Sequence, residues 1–240
     1  MKKLLVLGAG TAGTMAVNKL VRRLGGHWQV TVVDLDDRLL GCVTFDDVSD
    51  VVEAENTEDI LKFGGVSSSE ELRGTWSMAV RSRLPWLGVN LVTAFVAGAV
   101  VLSQQEVVSR IVLLAAYMPI IAGMGGNAGT QALAVTVRGL ALGLIPASEA
   151  TRVISKEMLA GLVNGLAVGT VTGLMALVLG HGAKLGLVVF LAMSVNLLVA
   201  GFAGAFIPVL LERFKVDPAI ASSIFVTTFT DVCGFSLLLG

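Results

Sequence analysis

Cysteine and histidine are almost missing from this chain, with two of each in 240 residues. Cys42 and Cys233 lie far apart and fit no redox or zinc spacing, so both read as small apolar residues rather than as a site. A surplus of positive charge is missing too. The formal net charge is −1, which argues against nucleic acid as a partner, because gripping a phosphate backbone takes a basic surface. Charge of either sign is scarce: 15% of residues are Asp, Glu, Lys or Arg, against about 25% in a typical soluble domain. The scarcity is local. The first 83 residues read as soluble, and from Pro85 onward long stretches carry no charged residue. No secretory signal is expected, because Met1-Lys2-Lys3 is followed by a short apolar run and then by glycines.

Apolar residues fill the second part. A helix needs about 20 of them to cross a hydrocarbon core about 30 Å thick. Five runs qualify: residues 84–102, 111–137, 158–179, 185–211 and 219–239. The expected fold is therefore an all-α polytopic membrane domain over residues 84–240, with five transmembrane helices per subunit and a small N-terminal α/β cytosolic fragment. Lys and Arg in the short flanks set the orientation. Arg73, Arg81, Arg83, Arg138, Arg152, Lys156, Arg213 and Lys215 fall on one side, and Arg110 and Lys184 on the other. Eight against two predicts a multi-pass plasma-membrane protein, surrounded by lipid, with its N-terminus cytoplasmic and its C-terminus outside. Trp76 and Trp86 suit the interfacial aromatic belt.

Two signals overlap in the N-terminal part. Gly8, Gly10 and Gly13 follow an apolar run, and a strand-like stretch ends in Asp34. That spacing is a dinucleotide fingerprint, with glycines for close pyrophosphate approach and an acid for the ribose. It resembles the start of flavin- and NAD-dependent oxidoreductases. A nucleotide-binding domain needs several further βα units, and nothing after Asp36 supplies them. Residues 1–36 are read as a Rossmann-like βαβ fragment that packs structurally, and no organic cofactor is expected. Residues 29–63 read strand, turn, strand, helix and look like the closing half of a CBS domain, too little for an adenine nucleotide site. Seven acids, Asp46, Asp47, Asp50, Glu53, Glu55, Glu58 and Asp59, follow one another with no Lys or Arg between them. The plain reading is a solvated helix face. Just before the first span, such a cluster also suits sensing of cytosolic divalent cations through oxygen and water ligands. Residues 64–83 are expected to form an amphipathic connecting helix, with Leu72, Trp76, Ala79 and Val80 at helical spacing.

Asp231 is the one Asp, Glu, Lys or Arg within the five runs. A charge at bilayer depth costs at least about 2.5–3.5 kcal/mol and marks a functional site by default. Ser223, Thr227 and Asp231 are four apart and share a helix face, with Thr228 beside them. The second run carries four glycines within residues 123–129 and places Asn127 one turn before Gln131, with Gly126 and Thr130 alongside. Polar, glycine-rich backbone at this depth is tolerated where it faces protein or a water-filled cavity. Asn90, Asn164 and Asn196 stand singly in other runs and are expected to bond between helices. A site of carboxylate, amides and carbonyls without His or Cys suits a hard cation. Mg²⁺ keeps much of its water and is held by one or two carboxylates. One carboxylate and five helices are few for that task, whereas a two-fold homodimer brings two copies of Asp231 to one axis.

These residues carry a resemblance. Arg83-Leu84-Pro85-Trp86-Leu87 with Asn90, Met118-Pro119 with residues 123–131 and Arg138-Gly139, Asp217-Pro218-Ala219, and Thr227-Thr228 with Asp231 and Gly234-Phe235 are similar to the motifs of the MgtE family of magnesium channels. The resemblance covers residues 32–240. It implies a homodimer with five spans per subunit, the second and fifth lining the pore. It also implies a hydrated Mg²⁺ held at Asp231 with Thr227 and Ser223, pore-lining Gly126, Asn127, Thr130, Gln131, Thr228 and Gly234, and a plug helix over residues 69–83. A cation-coupled carrier on the same scaffold is the first alternative, and a membrane-anchored flavin or NAD oxidoreductase, from the glycine fingerprint, is the second. Members of that family carry a larger N-terminal domain and a full CBS pair, whereas here the dinucleotide-like segment stands in front and joins near Val32-Val33-Asp34.

Overall fold

The computed structural model describes residues 2–7, 28–33, 39–43, 51, 53–54, 57–58, 60–66, 74–146 and 149–240, with the strands and residues 219–222 described by backbone alone. The chain divides into two compact units, Met1–Ile60 and Leu61–Gly240.

The first unit contains a sheet of three strands, β1 (Lys2–Leu7), β2 (Trp28–Val33) and β3 (Leu39–Val43), in the order β1-β2-β3. β1 and β2 run parallel, Lys2 opposite Trp28 through Leu7 opposite Val33. β3 returns antiparallel, with an irregularity between Val32 and Val33. The β-branched run Val30-Thr31-Val32-Val33 suits the central strand. Gly8, Gly10, Gly13 and Asp34 lie outside the described residues, as do Asp46, Asp47, Asp50, Glu55 and Asp59.

The second unit is helical: α1 (Trp76–Ser103), the short α2 (Gln105–Arg110), α3 (Leu113–Ala141), α4 (Ala150–Val178), α5 (Ala183–Arg213) and α6 (Pro218–Leu239). Among the described residues α1, α4 and α5 are long and apolar enough to cross a membrane, and α6 adds a shorter apolar stretch, Ser223–Leu239. The helices outrun the apolar runs that mark them. α1 begins at Trp76 and passes through Pro85 without a break. α4 begins at Ala150, eight residues before its apolar run at Met158, because backbone hydrogen bonding continues where side chains are polar.

α5 is the hub, with α4 on one side and α3 and α6 on the other. Its contact with α4 is made by backbone. Gly161, Gly165, Gly169 and Gly173 repeat every four residues along one face of α4, all buried. A Cβ at Gly165 would lie 2.5 Å from Ser194 O, one at Gly169 2.8 Å from Phe190 O, and one at Gly173 2.9 Å from Gly186 O. In lipid no hydrophobic force holds helices together, so this close approach supplies the attraction through van der Waals packing. The Ser194 hydroxyl sits 2.7 Å from Phe190 O and 3.2 Å from Gly165 O and donates to one at a time. At its C-terminus α4 stops on Gly180 at φ 76°, with Gly180 N–H bonded to Leu177 O and His181 N–H to Ala176 O. α1 packs chiefly on α6 and leaves Leu84, Leu87, Leu91, Val92 and Phe95 exposed.

Candidate cation site

α3 meets α6 along the glycine-rich stretch. A Cβ at Gly126 would touch the Thr227 methyl carbon at 3.8 Å, and one at Gly129 would lie 2.5 Å from Val226 Cγ1. Gly125, Gly129, Ala132, Leu133 and Thr136 form the buried face of α3. Gly123, Asn127 and Gln131, each four apart, form an exposed stripe on the same helix, with Gly126 and Thr130 half-buried at its edge. The turn of α6 repeats the arrangement. Val226, Thr230 and Gly234 are buried, while Ser223, Thr227, Thr228 and Asp231 are half-buried. The structure thus brings Gly126 to Thr227 and leaves Thr130 of α3 and Ser223, Thr227, Thr228 and Asp231 of α6 half-buried. Asn127 and Gln131 stand apart from α6, facing out of the single chain.

The hydroxyl protons are used locally. Thr130 donates to Gly126 O at 2.8 Å, Thr228 to Ile224 O at 2.7 Å and Thr230 to Thr227 O at 2.9 Å. This back-bonding is the usual resort of threonine in an apolar helix, and it leaves each hydroxyl oxygen able to accept. Among the described residues no cationic side chain pairs with Asp231, and no group of three His, Cys, Asp or Glu comes together. The candidate donors on the two helices are oxygens: the Asp231 carboxylate and the threonine hydroxyls, with the amide oxygens of Asn127 and Gln131 on the exposed stripe. Such a set favours a hard ion that brings its own water.

Of the three isolated asparagines, Asn196 alone bonds between helices among the described residues, donating to Ile121 O at 3.0 Å. Asn90 and Asn164 are exposed, because each falls on the outer face of its helix. Sequence periodicity cannot tell these faces apart when nearly every neighbour is apolar. Glu157 is a residue the apolar runs miss. It is 9% exposed and ion-paired to Lys156 at 3.1 Å, and it continues the four-residue series of Gly161, Gly165, Gly169 and Gly173. That series was the signal that α4 reaches this far with its packing face.

At the start of α6, Asp217 is paired with Lys62 at 2.7 Å, both half-buried. The neighbouring Phe63 packs on Leu133, Ala203 and Val226. Of the acidic run, Glu53 is exposed and Glu58 half-buried.

Residues 118–240 match the family model MgtE, described as a divalent cation transporter. The chain belongs to the MgtE family. The matched stretch begins inside α3, just before its glycines, and takes in every residue of the candidate site. The chain is 39% identical over 203 residues to the magnesium transporter MgtE of Enterococcus faecalis, covering 85% of this chain and 45% of that protein. It is 32% identical over 211 residues to the magnesium transporter MgtE of Bacillus subtilis, covering 88% and 47%. It is 36% identical over 225 residues to that of Thermus thermophilus, covering 91% and 50%. The chain spans about half the length of these curated MgtE relatives. With its apolar helices, an MgtE chain of this kind is a membrane protein.

Proposed function

We propose that this chain moves Mg²⁺ across the plasma membrane through a pore formed by two copies, with α3 and α6 lining the path and α1 to α6, apart from the short α2, as five spans. The observation that carries this reading is Asp231. It stands half-buried on α6, one turn past the Thr227 that meets Gly126 of α3, and pairs with no cationic side chain among the described residues. The relatives' names supply the ion.

A second copy answers what one chain leaves open. Two Asp231 carboxylates offset the charge of one hydrated Mg²⁺, which needs few direct ligands. The exposed Asn127 and Gln131 stripe then borders the shared path in place of lipid, where polar side chains are costly. Thr227 and Ser223 extend the carboxylate face along α6, and Gly126, Thr130, Thr228 and Gly234 complete the lining. The N-terminus is cytoplasmic and the C-terminus outside. The protein acts as a transporter and not as an enzyme, with Mg²⁺ as cargo and no organic cofactor.

Electrical recording separates a channel from a cation-coupled carrier. A channel's reversal potential follows the Mg²⁺ gradient alone. A shift of that potential when Na⁺ or H⁺ is changed at fixed Mg²⁺ overturns the channel reading in favour of the carrier.

A further inference from the structure

Asn196 of α5 is wholly buried between α3 and α6. Its Nδ2 donates to Ile121 O of α3 at 3.0 Å. That carbonyl is also the helical acceptor of Gly125 N–H, so the bond falls on the turn leading into Gly126 and Asn127. Two glycines make room for the amide. A Cβ at Gly234 of α6 would lie 2.9 Å from Nδ2, and one at Gly125 of α3 would overlap the same nitrogen. The other end of the amide, Oδ1, is buried without a hydrogen-bond partner among the described residues.

This arrangement is poor economy for stability. An unpaired buried acceptor costs free energy, and a leucine of similar size would avoid the cost. Two helices have given up side chains to admit it. What the amide does provide is geometry, since one side chain fixes where α3 and α6 pass each other. Gly234 follows Asp231 by three residues, about 4.5 Å along the helix. Gly125 adjoins Gly126, which faces Thr227. The tie therefore lies at the level of the carboxylate, on the side of the two helices away from the exposed stripe.

We propose that Asn196 is a positioning residue for the cation path: its buried amide holds α3 against α6 at the level of Asp231 and so sets how closely the two helices pass an ion. It touches no cation itself and acts through the backbones it spaces. The proposal rests on the Mg²⁺ path described above. With the tie removed, α3 and α6 settle at a spacing set by apolar packing, and discrimination between ions of different size loosens.

The test is uptake of Mg²⁺ and of the larger Ca²⁺ into proteoliposomes holding the full chain, its Asn196→Leu variant and its Asp231→Ala variant. Asn196→Leu is expected to melt at or above the wild-type temperature and to lose Mg²⁺-over-Ca²⁺ discrimination by about three- to tenfold, the worth of one buried hydrogen bond. Wild-type discrimination in Asn196→Leu overturns the proposal. Should that variant fail to assemble, the paired variant Asn196→Ala with Gly125→Ala takes its place, because the new methyl enters the room the amide leaves. It too is expected to lose discrimination, and wild-type discrimination there overturns the proposal. Uptake that is indifferent to Asp231→Ala removes the underlying path, and the proposal with it. Asp231-dependent uptake left unchanged by Asn196→Leu removes the proposal alone.

Discussion

Gly126 and Thr227 face each other across the contact of α3 and α6, with 3.8 Å between the Thr227 methyl carbon and the point where a side chain on Gly126 would begin. That distance is ordinary van der Waals contact, so Gly126→Ala fits without displacement. Alanine is favoured over glycine inside a helix by about 0.5–1 kcal/mol. The variant is expected to melt at or slightly above the wild-type temperature in detergent. Gly129→Ala, one turn on, meets Val226 Cγ1 at 2.5 Å and is expected to cost about 1–3 kcal/mol. Equal melting of the two variants would contradict the contact as described.

The contact of α4 with α5 predicts a sharper contrast. A methyl at Gly165 would lie 2.5 Å from the carbonyl oxygen of Ser194, and backbone cannot swing aside as a side chain does. Gly165→Leu is expected to separate the helices and abolish the monodisperse peak in size-exclusion chromatography. Gly98→Ala in α1 has no heavy atom within 4 Å of the new methyl and is expected to elute as wild type.

The glycine fingerprint in the first unit should carry no nucleotide. Replacing Gly8 and Gly10 by Val is expected to leave uptake unchanged, and purified wild-type protein is expected to show no flavin absorption in the visible. Stoichiometric FAD or NAD released on denaturation would overturn this reading and revive an oxidoreductase.

Regulation is expected to be weak. Asp46, Asp47, Asp50, Glu53, Glu55, Glu58 and Asp59 follow one another in the sequence with no Lys or Arg between them, and Mg²⁺ relieves repulsion between exposed like charges only weakly in salt. In patches with the cytoplasmic face exposed, roughly millimolar Mg²⁺ should leave most of the current. Full and reversible closure would show that this segment still senses the ion. Neutralising Asp46, Asp47, Glu53, Glu58 and Asp59 should then remove the response.

The candidate site stands out in the sequence to the extent that lipid makes polarity expensive. Asp231 announces itself as a lone charge in an apolar run, and the glycines of α3 as backbone made available. Which face each polar residue takes was not legible. Asn90, Asn164 and Asn196 look alike in apolar surroundings, yet Asn196 alone is buried, since only its face of α5 lies between two helices. Glu157 was hidden for a related reason. It sits at the edge of an apolar run, where hydropathy places the end of a span, while the packing series of α4 continues through it.

The most direct test of the cation path is Mg²⁺ uptake into proteoliposomes by the wild type, Asp231→Ala and Asp231→Asn, at matched reconstitution and oligomeric state. An uncompensated charge at bilayer depth costs about 2.5–3.5 kcal/mol, so Asp231→Ala is expected to lower the rate by about two orders of magnitude. Asp231→Asn, which still bonds the ion's water, should lose less. Wild-type uptake by Asp231→Ala would contradict the assignment of the site.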